Sequence, residues 1–174
     1  MRRSLIEFSE AFFVSGATIL LVFWLIGQPL QVTGDSMLPT FSDHEQIVAE
    51  KLSFKFNRPA RGDVVIFRHP DNKRVFAIKR VVGLPGEEIG ISGGKVLING
   101  QELPEPYLVD ETQTWGNIFL KEDLPVEIPA DSYILLGDNR GVSLDSRAWG
   151  FVPKEDLIGK PVLVYSPISS FQIL

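Results

Sequence analysis

The sequence predicts a mostly β, antiparallel domain carried behind one N-terminal transmembrane helix. Three observations lead there: an uncharged apolar run near the start, short strand-like runs separated by turn residues beyond it, and the lack of any long amphipathic helical period. At 174 residues the chain has room for one compact domain and an appendage, but not for two full domains.

The apolar run comes first. No charged residue lies between Ala11 and Gly34, and Ile19 to Ile26 is apolar on every side. About 20 residues at ~1.5 Å rise cover the ~30 Å hydrocarbon core of a bilayer, so the run reads as one transmembrane helix. Arg2 and Arg3 precede it and no Lys or Arg follows until Lys51. The positive-inside rule therefore puts the N-terminus in the cytoplasm and the rest outside. The alternative is a cleaved secretory signal, but Gly27 to Val32 offers no good small-x-small cleavage site. The expected division is residues 1–30 as cytoplasmic end and anchor, and 31–174 as an extracytoplasmic β domain.

Strands are then expected at 46–49, 63–67, 75–82, 95–98, 132–136 and 162–165, where β-branched and aromatic residues cluster. Asn99-Gly100 between two such runs marks a type I′ hairpin. Pro85-Gly86, Ser92-Gly93-Gly94 and Gly137-Asp138-Asn139 mark further turns. Residues 102–129, carrying Pro104, Pro106, Pro125 and Pro129, read as an excursion of loops and a hairpin within the same domain.

Composition removes several classes of function. Lys and Arg total 17 against 22 Asp and Glu, a net charge of -5, and the basic residues are scattered, which argues against nucleic acid as a partner. The absence of cysteine excludes thiolate nucleophiles, disulfides and thiolate zinc sites. His44 and His69 sit among turn residues and read as solvated, so a hydrolase here works without a histidine base. No cofactor and no metal are expected.

Three segments carry candidate chemistry. Gly34-Asp35-Ser36-Met37-Leu38-Pro39 can expose a serine hydroxyl together with its backbone N–H, which a nucleophile and an oxyanion hole require; the plain alternative is a turn serine. In Val75 to Val82, strand alternation puts Lys79 on one face with Val75, Ala77 and Val81. Desolvation there would lower the ammonium pKa toward neutrality, as a general base needs, whereas an edge-strand lysine would snorkel to water. In Gly137 to Gly150, an extended Ser143–Arg147 would put Ser143, Asp145 and Arg147 on one face, with Asp145 paired to Arg147, either as a satisfied buried network or as a surface pair in a polar turn.

The Ser36 segment, Arg61 to Phe67, Lys79 to Gly86 and Gly137 to Gly150 resemble, in order and behind a single anchor, the four sequence blocks of type I signal peptidases, the leader peptidases that use a Ser-Lys dyad. The resemblance implies a coiled, barrel-like β-sheet as the catalytic core. It also implies a membrane-anchored serine endopeptidase that removes N-terminal signal peptides from exported preproteins. Ser36 would be the nucleophile and its N–H an oxyanion donor, Lys79 the general base, Ser143 the residue orienting the Lys79 amine, Asp145–Arg147 a supporting ion pair, and Met37 part of the substrate-binding lining. Implied partners are signal-peptide-bearing preproteins, the lipid bilayer and, as a further candidate, the export channel. The implied location is the cell membrane.

Three positions depart from the family pattern. Gly34 stands where many relatives carry a serine that assists the oxyanion, Glu87 where Asp is usual, and Val142 where Asn is common. A self-cleaving repressor with a Ser-Lys dyad would need a DNA-binding module that the sequence lacks. A non-catalytic, membrane-tethered homologue acting as a binding module stays as the alternative from another class, though it need not keep Ser36, Lys79, Ser143, Asp145 and Arg147 together. Phosphate binding at Gly83 to Gly86 lacks both the phosphate-loop lysine and a following helix signal.

Overall fold

The computed structural model describes residues 7, 9–18 and 27–174. Residues 9–18 are helical, with Phe12, Phe13 and Val14 exposed. No helix among the described residues is long and apolar enough to cross a membrane. The apolar core of the expected anchor, residues 19–26, lies outside the described residues.

From Gly27 onward the chain is built of antiparallel strands. These are β1 (Gly27–Gln31), β2 (Gln46–Glu50), β3 (Val64–His69), β4 (Asn72–Gly83), β5 (Glu88–Ser92), β6 (Lys95–Ile98), β7 (Gln101–Glu102), β8 (Val126–Glu127), β9 (Ser132–Leu136), β10 (Val152–Pro153), β11 (Leu157–Ser166) and β12 (Gln172–Ile173). Each expected run falls within or across one of them, and β4 and β11 extend well past their expected limits. Strand β1 starts four residues before the boundary expected at residue 31.

The larger sheet runs β1-β2-β11-β3-β4-β9-β10, with β12 against β11; the smaller runs β7-β6-β5-β8. The larger path ends at β1 and β10, which do not pair among the described residues, so the sheet is antiparallel as expected but does not close into a barrel. Asn99 and Gly100 take φ of 50° and 76°, forming the expected hairpin between β6 and β7.

Strand alternation divides the core. Val65, Phe67, Val81, Tyr133 and Leu135 pack on one face of the larger sheet. Ile66, Ile47, Ala49 and Val164 pack on the opposite side together with Met37 and Phe41 from the loop between β1 and β2. Val82, Ile134 and Leu136 join Ile89, Ile91, Val96 and Ile128 beneath the smaller sheet. Because β4 contributes to more than one cluster and lies between β3 and β9, it is an interior strand, fixed from both edges.

Candidate active site

Ser36 sits in the loop joining β1 to β2. Met37 and Phe41, which follow it, are fully buried, and the Phe41 N–H bonds the Met37 carbonyl at 2.9 Å, so the loop is pinned to the core. Gly34 has φ of +84°, a left-handed conformation that a serine with its Cβ would strain to adopt. Its N–H bonds Asp43 Oδ1 at 2.7 Å.

Lys79 projects from the middle of β4 and is only 5 % exposed. An interior strand leaves it no route to snorkel. Its Nζ lies 2.6 Å from Ser36 Oγ. Burial is the main cause that lowers its pKa from 10.5 to about 8; the carboxylates of Asp145 and Asp138 pull the other way, and the Arg147 charge adds to the lowering. Both carboxylates are already engaged by arginines, which limits how far they can stabilise the ammonium.

Asp145 and Arg147 form a two-pronged ion pair, Nε to Oδ1 at 2.8 Å and Nη2 to Oδ2 at 2.9 Å. The extended conformation expected for 143–147 does not occur. Asp145 instead caps the helical turn Ser146–Trp149, accepting from the Arg147 N–H. The cap turns the chain, and the Arg147 side chain folds back onto Asp145, so the two meet without sharing a strand face. Asp145 Oδ2 also accepts from the Gly137 N–H at 3.1 Å.

The same loop grips the Ser36 segment. Asn139 N–H donates to the Ser36 carbonyl at 3.1 Å and Asn139 Nδ2 to the Asp35 carbonyl at 3.1 Å. Gly137 passes so close that a Cβ there would collide with the Ser36 carbonyl and the Ser143 side chain. Ser143 Oγ is buried and has no hydrogen-bond partner, so the bond to Lys79 implied for it is not formed here. Its backbone is held elsewhere, N–H to the Asn139 carbonyl and carbonyl to Arg147 Nη2. Met37 is likewise placed otherwise than expected: it lies in the core below Ser36 and does not line the adjoining cavity.

That cavity, about 300 Å³, opens beside Ser36 and Lys79 and is walled by Leu30, Val32, Ile47, Ile66, Ala77 and Ile78. His44 is exposed, whereas His69 is largely covered and packs edge-on against Trp149 at 4.5 Å instead of being solvated. Neither lines the cavity.

A second network escaped the sequence reading. Arg80, next to the lysine but on the opposite strand face, holds Asp138 through Nε at 2.8 Å and Nη2 at 2.5 Å, with Nη1 on the Gly62 carbonyl. Tyr107 covers its guanidinium at 4.1 Å. The Tyr107 hydroxyl donates to Glu105 at 2.6 Å, and Glu105 takes Arg140 in a two-pronged pair at 2.5 and 3.0 Å. Burial and the neighbouring Glu105 push the Tyr107 hydroxyl above its usual range, keeping it a donor. The excursion 102–129 therefore clasps strand β4, which bears Lys79, and the Gly137–Asp145 loop that holds the Ser36 segment. One signal was legible for Arg80: a charge on a strand face otherwise made of Phe76, Ile78 and Val82 demands a buried partner. Glu105 and Tyr107 had none. The Glu87 departure is absorbed locally, since its carboxylate pairs with Arg61 and accepts from the Leu84 N–H at 2.8 Å; Val142 is exposed.

The profile described as signal peptidase, peptidase S26, matches residues 5–166. The chain is 39% identical over 153 residues to Signal peptidase I of Leptolyngbya laminosa, covering 83% of this chain and 71% of that protein. It is 32% identical over 183 residues to Signal peptidase IB of Staphylococcus aureus, covering 99% and 95%. A crystal structure of a signal peptidase I from Enterococcus faecalis superposes with a TM-score of 0.50 at 31% identity, covering 60% of this chain and 97% of that one. Matched over nearly its whole length, this chain belongs to the signal peptidase family, peptidase S26.

Proposed function

We propose that the protein is an active serine endopeptidase that removes N-terminal signal peptides from exported preproteins, with Ser36 as nucleophile and Lys79 as general base. The observation that carries this reading is the buried Lys79 Nζ at 2.6 Å from Ser36 Oγ. With a pKa near 8, the neutral amine is available close to physiological pH to take the hydroxyl proton as Ser36 attacks the scissile carbonyl. The protonated amine then returns that proton to the leaving nitrogen, and water repeats the cycle on the acyl-enzyme. The Ser36 N–H serves the oxyanion, and Gly34, lacking a side chain, contributes no hydroxyl.

Asp145–Arg147 and Arg80–Asp138 keep two carboxylates near Lys79 but neutralised, so the ammonium is not over-stabilised. Ser143, with a buried hydroxyl free of other partners, is the group available to orient the amine during turnover. The apolar cavity of about 300 Å³ suits small, uncharged side chains just before the cut. Met37 supports Ser36 from the core. A non-catalytic binding role would leave no reason to desolvate a lysine against a serine.

In the same reading, residues 11–26 anchor the chain in the cell membrane with Arg2 and Arg3 inside and the β domain outside. The exposed Phe12, Phe13 and Val14 support this. Tethering would raise the local concentration of enzyme where signal peptides end. The test is incubation of detergent-solubilised protein with a preprotein and mapping of the cut by mass spectrometry; an uncut preprotein, or cleavage retained by Ser36→Ala, would overturn the assignment.

A further inference from the structure

One end of the larger sheet gathers an unusual set of side chains. In the β1–β2 register Gly27 faces Glu50, so the segment Lys51–Phe56 leaves the sheet beside the point where the chain enters it. In the β11–β2 register Lys160 also faces Glu50, which brings the start of β11 to this end. Leu157 pairs with Phe67, adding Arg68, and Arg68 pairs with Phe76.

Between these elements lies a crevice of about 800 Å³ bordered by Lys51, Lys55, Arg68 and Lys154. Asp131 and Glu155 are its acidic members, leaving an excess of two positive charges in a chain whose net charge is -5. None of the four cations makes an ion pair among the described residues; Arg68 reaches only the Glu155 carbonyl, at 3.5 Å. The other acidic groups at this edge are engaged: Glu50 is turned inward onto the N–H groups of Leu52 and Ser53, and Asp156 is paired with Lys73. The crevice floor is apolar, from Phe54 and Leu157. Beside these cations Leu52 and Phe56 flank Lys51 and Lys55 in the chain, Phe56 being 81% exposed, and Phe76, exposed too, pairs across the strands with Arg68.

We propose that this crevice binds the headgroups of anionic phospholipids, laying the sheet end on the outer membrane surface. The inference rests on the anchor reading, because only a span ending near Gly27 holds this end at the bilayer. Lysines beside exposed aromatic and aliphatic side chains are the composition that settles at such a surface, the cations meeting phosphates and the rings entering the acyl boundary. Docking there would fix the catalytic cavity, whose rim includes Val75 and Phe76, at a constant height above the bilayer.

The chain has no cysteine, so Phe56→Cys introduces a single labelling site. The full-length protein, carrying a polarity-sensitive fluorophore there, is reconstituted into nanodiscs of phosphatidylcholine alone or mixed with phosphatidylglycerol. Aqueous iodide should quench the label several-fold less in the anionic discs. High salt, or Lys51→Gln with Lys55→Gln and Lys154→Gln, should abolish the difference while cleavage of a soluble peptide persists. Equal quenching in both lipids, or a difference that survives the triple substitution, would overturn the proposal. Protection produced in phosphatidylcholine discs by inorganic phosphate would also overturn it, revealing a free-anion site. An alkaline carbonate wash of vesicles separates the two readings: release of the chain sinks the anchor and this proposal together, whereas retention with equal quenching sinks the proposal alone.

Discussion

Lys79 Nζ and Ser36 Oγ lie 2.6 Å apart although they stand 43 positions apart in the chain. An interior strand supplies one and a core-pinned loop the other, so the pair is positioned by elements with little freedom to move. Replacing either Ser36 or Lys79 by Ala is expected to abolish preprotein cleavage. His44→Ala and His69→Ala should keep it within a few fold, since neither ring borders the cavity. A gel assay of preprotein processing decides; loss of activity in either histidine variant as complete as in Ser36→Ala would favour a histidine base.

The pH profile should follow the lysine. With a pKa near 8, kcat/KM is expected to rise in proportion to the neutral amine below that value and to level off above it. A profile that levels off well below neutrality would exclude Lys79 as the group titrating.

Stability should carry the same signature. Below about pH 8 the folded and unfolded chains both hold the Lys79 proton, and the fold bears the full cost of burying the charge, about 3 kcal/mol. Between about 8 and 10.5 the unfolded chain binds more protons, so stability rises with pH across that window. Lys79→Met removes the charge and forfeits a hydrogen bond to Ser36 of ~1 kcal/mol, for a net gain of about 1 to 3 kcal/mol at pH 7. Denaturant melts at pH 7 and pH 10 test it: the advantage should shrink at the higher pH, and an equal one at both would contradict a buried lysine.

Gly137→Ala should be severe for a residue bearing no functional group. Its methyl would strike the Ser36 carbonyl and the Ser143 side chain, displacing the Ser36 loop. Overpacking of this kind costs about 1–3 kcal/mol, and a misplacement of about 1 Å lowers the rate roughly 100-fold. Comparison of kcat with the melting midpoint separates the two effects; wild-type kcat would show that the loop yields freely.

The clasp offers a graded test. Tyr107→Phe keeps the ring over Arg80 and loses the hydrogen bond to Glu105, for a stability loss of about 1 kcal/mol. Tyr107→Ala also loses the cation–π contact, worth about 2 kcal/mol when desolvated, and kcat should fall with it. Equal stability of the two variants would mean that the ring contributes nothing.

The topology expectation is tested on spheroplasts. Protease added outside should digest residues 31–174, whereas full protection beside a degraded outward control would reverse the orientation.

Sequence alone determined the features that depend on chain neighbours. Alternation placed the strands, Asn99-Gly100 placed a hairpin, and the spacing of the Ser36, Lys79 and Gly137–Gly150 segments carried the family resemblance. It also implied the Asp145–Arg147 pair, but through an extended backbone that the Asp145 cap replaces with a helical turn. Tertiary structure alone decided whether Lys79 was a snorkelling edge residue or a buried one, because that depends on the distant Ser36 segment packing against it. It also decided that Met37 sits beneath the site, that Ser143 Oγ has no partner, and that Glu105 and Tyr107 reach Arg140 and Arg80. Arg80 and Asp138 stand 58 positions apart, and Glu105 and Arg140 stand 35 apart. A periodic pattern reports which face of its own element a residue occupies, and only the packing of elements sets what that face meets.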